Sequence, residues 1–310
     1  MFPTALIYSS HNRSEVIHRW WLVERALRSL DNKTFLYVPM SMNEMHQQEY
    51  TWGTFRWYLD RFRQWGLESR NFFWRDGLEK SDVELFFKWL RDSEVVVLGG
   101  GNSLLGIERF NSLGEQHFGD KHLFGKILRD RQRRGKLTAG FSAGASQLCS
   151  LMETVLDYPE EDSQGFGLAH NIMCTLHYEA GRDEKLKESA KRFPHFMAFG
   201  LPNDSGLAFD QGFLSSGNIW QVIECIVDTS WDLPQDSWHI KTRSGMNIEH
   251  YYNDGRDWTF KNGDKIVRII SSNHQDYDAW VLQANGGPIY HYWTQQPTQY
   301  QSINAILESH

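Results

Sequence analysis

A serine between two glycines, placed directly after a short apolar run, constrains the fold of this chain more than any other feature. Gly140–Ala145 reads Gly-Phe-Ser-Ala-Gly-Ala, follows the predicted strand Lys136–Ala139, and precedes Ser146–Cys149, which can begin a helix. This pattern is typical of a nucleophile elbow, because small neighbours let the backbone turn sharply and lift the Ser142 hydroxyl above the sheet. The amide of Ala143, at the helix N-terminus, would then face any negative charge that develops there. The alternative is a glycine-rich turn whose serine has no chemical role.

A second glycine cluster precedes the first and supports the elbow interpretation. Glu94–Leu98 is a continuous apolar run that predicts a strand buried on both faces, and Gly99–Ser103 follows it. The helix predicted over His122–Arg134 separates the two clusters, so strand, turn, helix, strand and elbow form a βαβ unit. Both turns then lie at one edge of the sheet, where the glycine turn can supply an oxyanion donor. A phosphate-binding loop is the weaker interpretation, because neither Gly-x-Gly-x-x-Gly nor Gly-Lys-Ser/Thr occurs in the cluster.

Strands and helices alternate through the first 150 residues. Strands are predicted at Ala5–Ser9, Thr34–Pro39 and Asn71–Trp74, and helices at Ser14–Leu30, Gln47–Gly66 and Ser81–Ser93. This order predicts an α/β fold, a doubly wound, mostly parallel sheet with helices on both faces. Ligands bind such sheets at the carboxyl ends of the strands, where both glycine clusters lie.

The pattern changes towards the C-terminus. From about Trp231 the chain is rich in Trp, Tyr, His, Asn and Gly, with hairpin signals at Asn262–Gly263 and Gly286–Gly287. We therefore expect two domains, a main domain over residues 1–230 and a small β-rich C-terminal appendage over residues 231–310.

Composition excludes several classes of function. Hydrophobic residues make up 40% and charged residues 23% of the chain, as in ordinary globular proteins, and the net charge of −7 disfavours broad nucleic-acid binding. No apolar run approaches the ~20 residues of a membrane span. Three widely spaced cysteines show neither a metal-binding spacing nor a disulfide framework, which suits the cytoplasm. We expect no metal, no nucleic-acid partner and no membrane partner.

A serine nucleophile needs a base. His177 is the best candidate, because it lies near the end of the predicted strand Ile172–Tyr178, in a sheet whose strand ends carry the reactive loops. His170 and His195 compete with it, since position in the sequence does not decide which histidine reaches the serine.

These motifs together resemble those of the dipeptidase E and cyanophycinase family of serine peptidases. The resemblance covers about residues 5 to 225. Its strongest parts are Gly99–Ser103, similar to the family's GGGN-Ser/Thr loop, and Gly140–Ala145, similar to its G-x-S-A-G-A elbow. Further similar segments are Asp157–Pro159, Gln164–Phe166, Leu176–Tyr178, Arg182–Leu186 and Gly200–Asp204.

The resemblance implies a class I glutamine amidotransferase-like fold and hydrolysis of peptide bonds next to aspartate, without a cofactor. The expected substrate is a small acidic or Asp-containing peptide, cleaved through an acyl-enzyme, and a homodimer is a further expectation. Ser142 would be the nucleophile and His177 the general base. The backbone amides of Gly101 and Ala143 would form the oxyanion hole.

The third member of the triad is ambiguous by resemblance. Alignment to the dipeptidase branch puts Asn203 at the position of the family's acid, and alignment to the cyanophycinase branch puts Asp204 there. We favour Asp204, because an anion stabilises an imidazolium and an amide does not; Asp157 is the reserve. The resemblance further implies three substrate-binding residues, Asn102, Gln164 and Arg182, the last as a bidentate partner of a substrate carboxylate.

Two other functions stay open at this point. An α/β-hydrolase esterase would share the Gly-x-Ser-x-Gly pattern, but its oxyanion loop would lie well before the strand that precedes the elbow. A non-catalytic amidotransferase-like domain would bind a ligand or a partner, and the uncertain acid favours that alternative.

Overall fold

The computed structural model describes residues 2–10, 14–179, 181, 183–228 and 247–310. Within these residues the strands are β1 (Ala5–Tyr8), β2 (Thr34–Val38), β3 (Glu68–Asn71), β4 (Val95–Leu98), β5 (Leu137–Phe141), β6 (Ile172–Leu176), β7 (Met197–Leu201), β8 (Ser205–Phe213), β9 (Ile219–Val227), β10 (Ile248–Tyr251), β11 (Asp257–Phe260), β12 (Lys265–Ile270), β13 (Tyr277–Leu282) and β14 (Tyr290–His291).

The helices lie mainly in the first half of the chain. A π-helix at Ile17–Val23 continues into α1 (Glu24–Arg28), followed by α2 (Met45–Asp60), α3 (Lys80–Asp92), α4 (Ser103–Phe118), α5 (Leu123–Arg133), α6 (Ala143–Leu148), α7 (Glu184–Arg192) and α8 (Ile303–Glu308). Short 3₁₀ turns occur at Arg63–Trp65, Glu153–Leu156 and Glu161–Ser163.

The larger sheet has ten strands in the order β14-β13-β12-β9-β8-β1-β5-β4-β2-β3. Strands β1, β5, β4, β2 and β3 pair in parallel, with β4 beside β5, so the glycine turn after β4 lies next to the elbow after β5. The predicted α/β fold with a parallel set of strands is confirmed, and the sheet is mixed, since its neighbouring strands from β14 to β1 all pair antiparallel. The expected edge of the sheet, where the carboxyl ends of parallel strands meet, carries both glycine clusters.

Helices cover both faces of this sheet. Val96 and Leu98 pack into the apolar cluster that includes residues of α3, α4 and α5, whereas Val95 and Val97 pack into the cluster that includes residues of α1 and α2. Successive residues of a strand point to opposite faces, so the unbroken apolar run of β4 follows directly from burial on both sides.

A second sheet has the order β11-β10-β7-β6, with β6 and β7 parallel. The extra antiparallel strands predicted at the C-terminus are present, but they extend both sheets. β12 to β14 add to the larger sheet beyond β9, while β10 pairs with β7 in the second. Residues 229–246, which include the predicted boundary at 230 and the start of the appendage, lie outside the described residues.

No helix within the described ranges is long and apolar enough to cross a bilayer.

Candidate active site

Ser142 occupies a strained turn between β5 and α6. Its backbone has φ 50° and ψ −120°, a conformation that non-glycine residues rarely adopt and that surrounding structure must hold in place. The Ser142 N–H donates to the carbonyl oxygen of Tyr8 over 3.1 Å, and the N–H of Gly144 donates to the carbonyl oxygen of Gly99 over 3.1 Å. A Cβ atom on Gly144 would lie 2.3 Å from the carbonyl oxygen of Leu98, so the elbow requires glycine there.

The glycine turn after β4 contacts the elbow. A Cβ atom on Gly100 would lie 3.3 Å from the Cβ atom of Ser142. Gly101 has φ 127°, and a Cβ atom there would lie 2.1 Å from the carbonyl oxygen of Ser41. In the described part of the chain, the N–H groups of Gly101 and Ala143 donate no hydrogen bond to the protein. Both donors are therefore available at the edge of the sheet where Ser142 lies.

His177 reaches the serine from the second sheet. It directly follows β6, and its Nε2 lies 3.2 Å from Ser142 Oγ. The backbone of His177 is in the left-handed region, with φ 54°. Its N–H donates to the hydroxyl of Ser9 over 2.7 Å, and Ser9 is fully buried after the end of β1. The first strand of the larger sheet thus fixes the backbone of a histidine carried by the other sheet.

Asn203 makes the hydrogen bond on the opposite side of the imidazole. Its Oδ1 lies 2.5 Å from His177 Nδ1, and the residue is 7% exposed. An amide oxygen only accepts, so Nδ1 carries the proton and Nε2 is left to accept the hydroxyl proton of Ser142. This is the tautomer that a general base beside a serine needs.

The expectation that Asp204 orients His177 requires a correction, because the structure has Asn203 at Nδ1. The two residues follow β7 in a tight turn, in which the N–H of Ser205 donates to the carbonyl oxygen of Pro202 over 3.1 Å. Asp204 is 1% exposed, and its carbonyl oxygen accepts from the N–H of Asp228 over 2.7 Å.

The reserve acid, Asp157, forms a surface ion pair. Its carboxylate lies 3.1 Å from Lys185 Nζ, and its side chain is 59% exposed. The position at Nδ1 of His177 is held by Asn203, so Asp157 does not replace Asp204 as the orienting group.

The two competing histidines have other partners. His170 Nε2 lies 2.9 Å from His274 Nδ1, and burial, followed by the nearby His274 and Arg268, lowers the pKa of His170 to about 4. The ring of His195 packs on Phe196, with 4.7 Å between ring centroids. The histidine that meets Ser142 is therefore His177.

The expected substrate-binding residues have different environments. Asn102 caps α4, since its side chain accepts from the N–H of Leu105 over 3.1 Å. Gln164 is exposed, and its backbone bridges to Leu151 beside the elbow helix. Arg182 lies outside the described residues.

Within the described ranges, no three His, Cys, Asp or Glu side chains are grouped to hold a metal ion. The described cysteines, Cys149, Cys174 and Cys225, are buried free thiols.

Sequence reasoning gave no role to Ser9. The hydrogen bond between its hydroxyl and the His177 N–H joins residues 168 positions apart in the chain. The available signal was its position as the last residue of the first predicted strand, at the sheet edge where polar residues of parallel strands converge.

Comparison with known proteins shows similarity to peptidases. The family model described as Peptidase family S51 matches residues 6–215. Proteins named Peptidase E from Escherichia coli O1:K1 and Shigella boydii serotype 18 are each 26% identical over 139 residues, which is 41% of this chain and 57% of theirs. The chain thus spans little more than half the length of these curated relatives.

The fold is shared with a solved peptidase structure. The crystal structure of a peptidase from an acI-B1 Actinobacterium superposes with a TM-score of 0.57 at 13% sequence identity, covering 84% of this chain and 95% of that one. The match of the family model covers well over half of the chain and confirms the resemblance seen in the two glycine clusters. This chain belongs to Peptidase family S51.

Proposed function

We propose that this chain is a serine peptidase in which Ser142 is the nucleophile and His177 the general base. The observation that carries the proposal is the 3.2 Å separation of Ser142 Oγ and His177 Nε2, at a strained strand-to-helix elbow. Asn203 is the positioning residue that fixes the tautomer and orientation of the imidazole. Membership in a peptidase family supports the same reaction class.

The reaction follows from these positions. Ser142 Oγ attacks the scissile carbonyl carbon while its proton passes to His177 Nε2, and the carbonyl oxygen becomes an anion. The N–H groups of Gly101 and Ala143 would donate to that anion, as in an oxyanion hole. The tetrahedral intermediate collapses as His177 returns the proton to the leaving amine, which leaves an acyl-enzyme. Water, deprotonated by His177, then releases the acid product.

The amide at Asn203 sets a limit on this chemistry. A His–Asn pair orients the imidazole in papain-like peptidases, so an amide is sufficient for positioning. It does not neutralise the imidazolium that forms after proton transfer. We therefore expect slower turnover than a carboxylate at this position would give.

Small acidic or Asp-containing peptides are the substrates that we propose. The basis is the resemblance of the two glycine motifs to the dipeptidase E and cyanophycinase family, together with the Peptidase E relatives. The roles of Asn102, Gln164 and Arg182 in binding such peptides, the homodimer and the cytoplasmic location stay predictions.

Hydrolysis of a dipeptide library tests the proposal. Release of amino acids from Asp-Xaa or Xaa-Asp peptides, lost in Ser142→Ala and in His177→Ala, is the expected result, with a decrease on the order of 10³-fold or more for the serine variant. Equal hydrolysis by Ser142→Ala would rule out covalent catalysis at this residue.

A non-catalytic ligand-binding protein is the second candidate, because Asn203 stands where the family resemblance leads us to expect an acid. Peptide binding without turnover by the wild-type chain would favour it. The α/β-hydrolase esterase receives no support, since the chain belongs to a peptidase family.

A further inference from the structure

The residue that follows His177 is held at three points. The N–H of Tyr178 donates to the carbonyl oxygen of Leu201 over 3.0 Å, next to the turn that carries Asn203. The Tyr178 ring lies against Gly200, where a Cβ atom would come within 2.8 Å of two ring carbons. Its hydroxyl donates to Asp183 Oδ1 over 2.8 Å. Tyr178 is 5% exposed, so these contacts fix the chain immediately after the histidine.

Asp183 joins this tyrosine to the C-terminal part of the protein. Its Oδ2 accepts from the Tyr251 hydroxyl over 3.1 Å and from Lys187 Nζ over 2.9 Å. The hydrogen bond from Lys187, followed by that from Tyr178, lowers the pKa of Asp183. Burial, followed by the hydrogen bond to Asp183, raises the pKa of Tyr178, so the phenol remains a donor to the carboxylate.

Tyr251 belongs to a strand that directly supports the site. It ends β10, which pairs antiparallel with β7 and places Tyr251 opposite Ala198. β7 in turn leads into Asn203. The ring of Tyr251 packs on an apolar cluster of Tyr178, Leu186, Ala190 and Ala198. Tyr251 also lies beyond residues 6–215, the part of the chain that the family model matches.

From these contacts we propose that Tyr251 is a positioning residue for His177, acting through Asp183 and Tyr178; the proposal rests on the proposed function. The left-handed backbone of His177 persists only where the surrounding structure holds it. Ser9 holds it from the larger sheet, and the Tyr178–Asp183–Tyr251 chain of hydrogen bonds holds it from the second sheet. The C-terminal segment thus takes part in assembling the site.

Tyr251→Phe tests this proposal, because it removes one hydroxyl and keeps the ring in the apolar cluster. The expected result is a kcat about 3–10-fold lower, with KM within about twofold of the wild type, since displaced catalytic groups affect turnover more than binding. Tyr300→Phe is the matched control. Its hydroxyl contacts Ser309 over 3.0 Å, in a separate apolar cluster with Trp280. An unchanged kcat in Tyr251→Phe, or an equal decrease in both variants, would overturn the proposal.

A double-mutant cycle tests the route through Asp183. Asp183→Asn alone should lower kcat at least as much as Tyr251→Phe, and the double variant should be no slower than Asp183→Asn, since both changes break one chain of contacts. Multiplicative effects would show that Tyr251 acts by another route. Urea unfolding of all variants separates a loss of positioning from a loss of fold.

The His177 imidazole gives a readout that does not need turnover. In the Ser142→Ala background, Tyr251→Phe should shift the NMR resonance of the His177 Nδ1 proton that faces Asn203, whereas Tyr300→Phe should not. If the wild type hydrolyses nothing, the proposed function fails while this resonance still reports the coupling. If the wild type is active and the resonance is the same in both variants, the positioning role is wrong.

Discussion

Acidification should destabilise this protein through a buried histidine in the second sheet. His250 is 1% exposed in β10, where Nδ1 lies 2.7 Å from the carbonyl oxygen of Ala198 and Nε2 lies 2.5 Å from the Tyr292 hydroxyl. Burial lowers its pKa to about 4; the hydrogen bond to the Ala198 carbonyl opposes this shift and the charge of Arg268 adds to it. The folded protein therefore keeps this imidazole neutral at neutral pH.

The sign and size of the effect follow from proton linkage. An unfolded histidine has a pKa of about 6.5, so above that pH both states are neutral and the stability is fully present. As pH falls below about 6.5, His250 is protonated in the unfolded chain but stays neutral in the folded chain. The free energy of unfolding therefore decreases until the pH reaches the folded-state pKa of about 4. At about 1.36 kcal/mol per pH unit, lowering the pH from 8 to 5 costs about 2 kcal/mol through His250.

Urea unfolding at pH 8 and pH 5 measures this loss. His250→Gln replaces the imidazole by an amide that does not titrate. The decrease in its unfolding free energy between pH 8 and pH 5 should therefore be about 2 kcal/mol smaller than that of the wild type. His122→Gln, at an exposed histidine that directly precedes α5, is the control and should keep the wild-type dependence. The reasoning is refuted if His250→Gln retains the full wild-type pH dependence.

Three further predictions concern the site. Ser9→Ala should lower kcat about 10-fold with little change in KM, because the His177 N–H loses its acceptor. Ser93→Ala, at a similarly buried serine before β4, should leave kcat unchanged, and equal steady-state kinetics of the two variants on one peptide would contradict the prediction. Asn203→Asp should raise kcat by about 10-fold, because a carboxylate stabilises the imidazolium. In the same assay Asn203→Ala should lower kcat more than Asp204→Asn does, and a larger decrease in Asp204→Asn would return the orienting role to Asp204. Gly101→Ala should lower kcat by more than about 10²-fold, since its Cβ atom would lie 2.1 Å from the Ser41 carbonyl oxygen and displace the Gly101 N–H, an oxyanion donor. A Gly101→Ala variant with the wild-type kcat would exclude that N–H from the oxyanion hole.

The parallel half of the fold could be predicted from local pattern. Buried strands such as β4 are continuous apolar runs, and the glycines that follow β4 and flank Ser142 mark the turns at one sheet edge. The C-terminal strands could be predicted as β-structure but not placed. Asn262–Gly263 lies between β11 and β12 and predicts a hairpin, yet these strands belong to different sheets. Turn chemistry specifies a reversal of the chain and does not specify the partner strand.

Only those residues of the candidate site that the local sequence marks could be predicted. Ser142 and His177 each directly follow a strand, and the local sequence indicates both strands. The choice between Asn203 and Asp204 depends on a one-residue register in the turn after β7, and the preference for an anion selected the wrong neighbour. Ser9 and Tyr251 act through contacts with residues far away in the sequence, so no local pattern marks them.

Labelling by a fluorophosphonate probe tests the central claim most directly, because only an activated serine reacts quickly with it. We predict one adduct per wild-type chain by intact mass, located on Ser142 by peptide mapping. Labelling should be absent in Ser142→Ala and slower by about 10²-fold or more in His177→Ala, which lacks the general base. A folded wild-type chain that stays unlabelled, or one labelled equally well in His177→Ala, would contradict an activated Ser142–His177 pair.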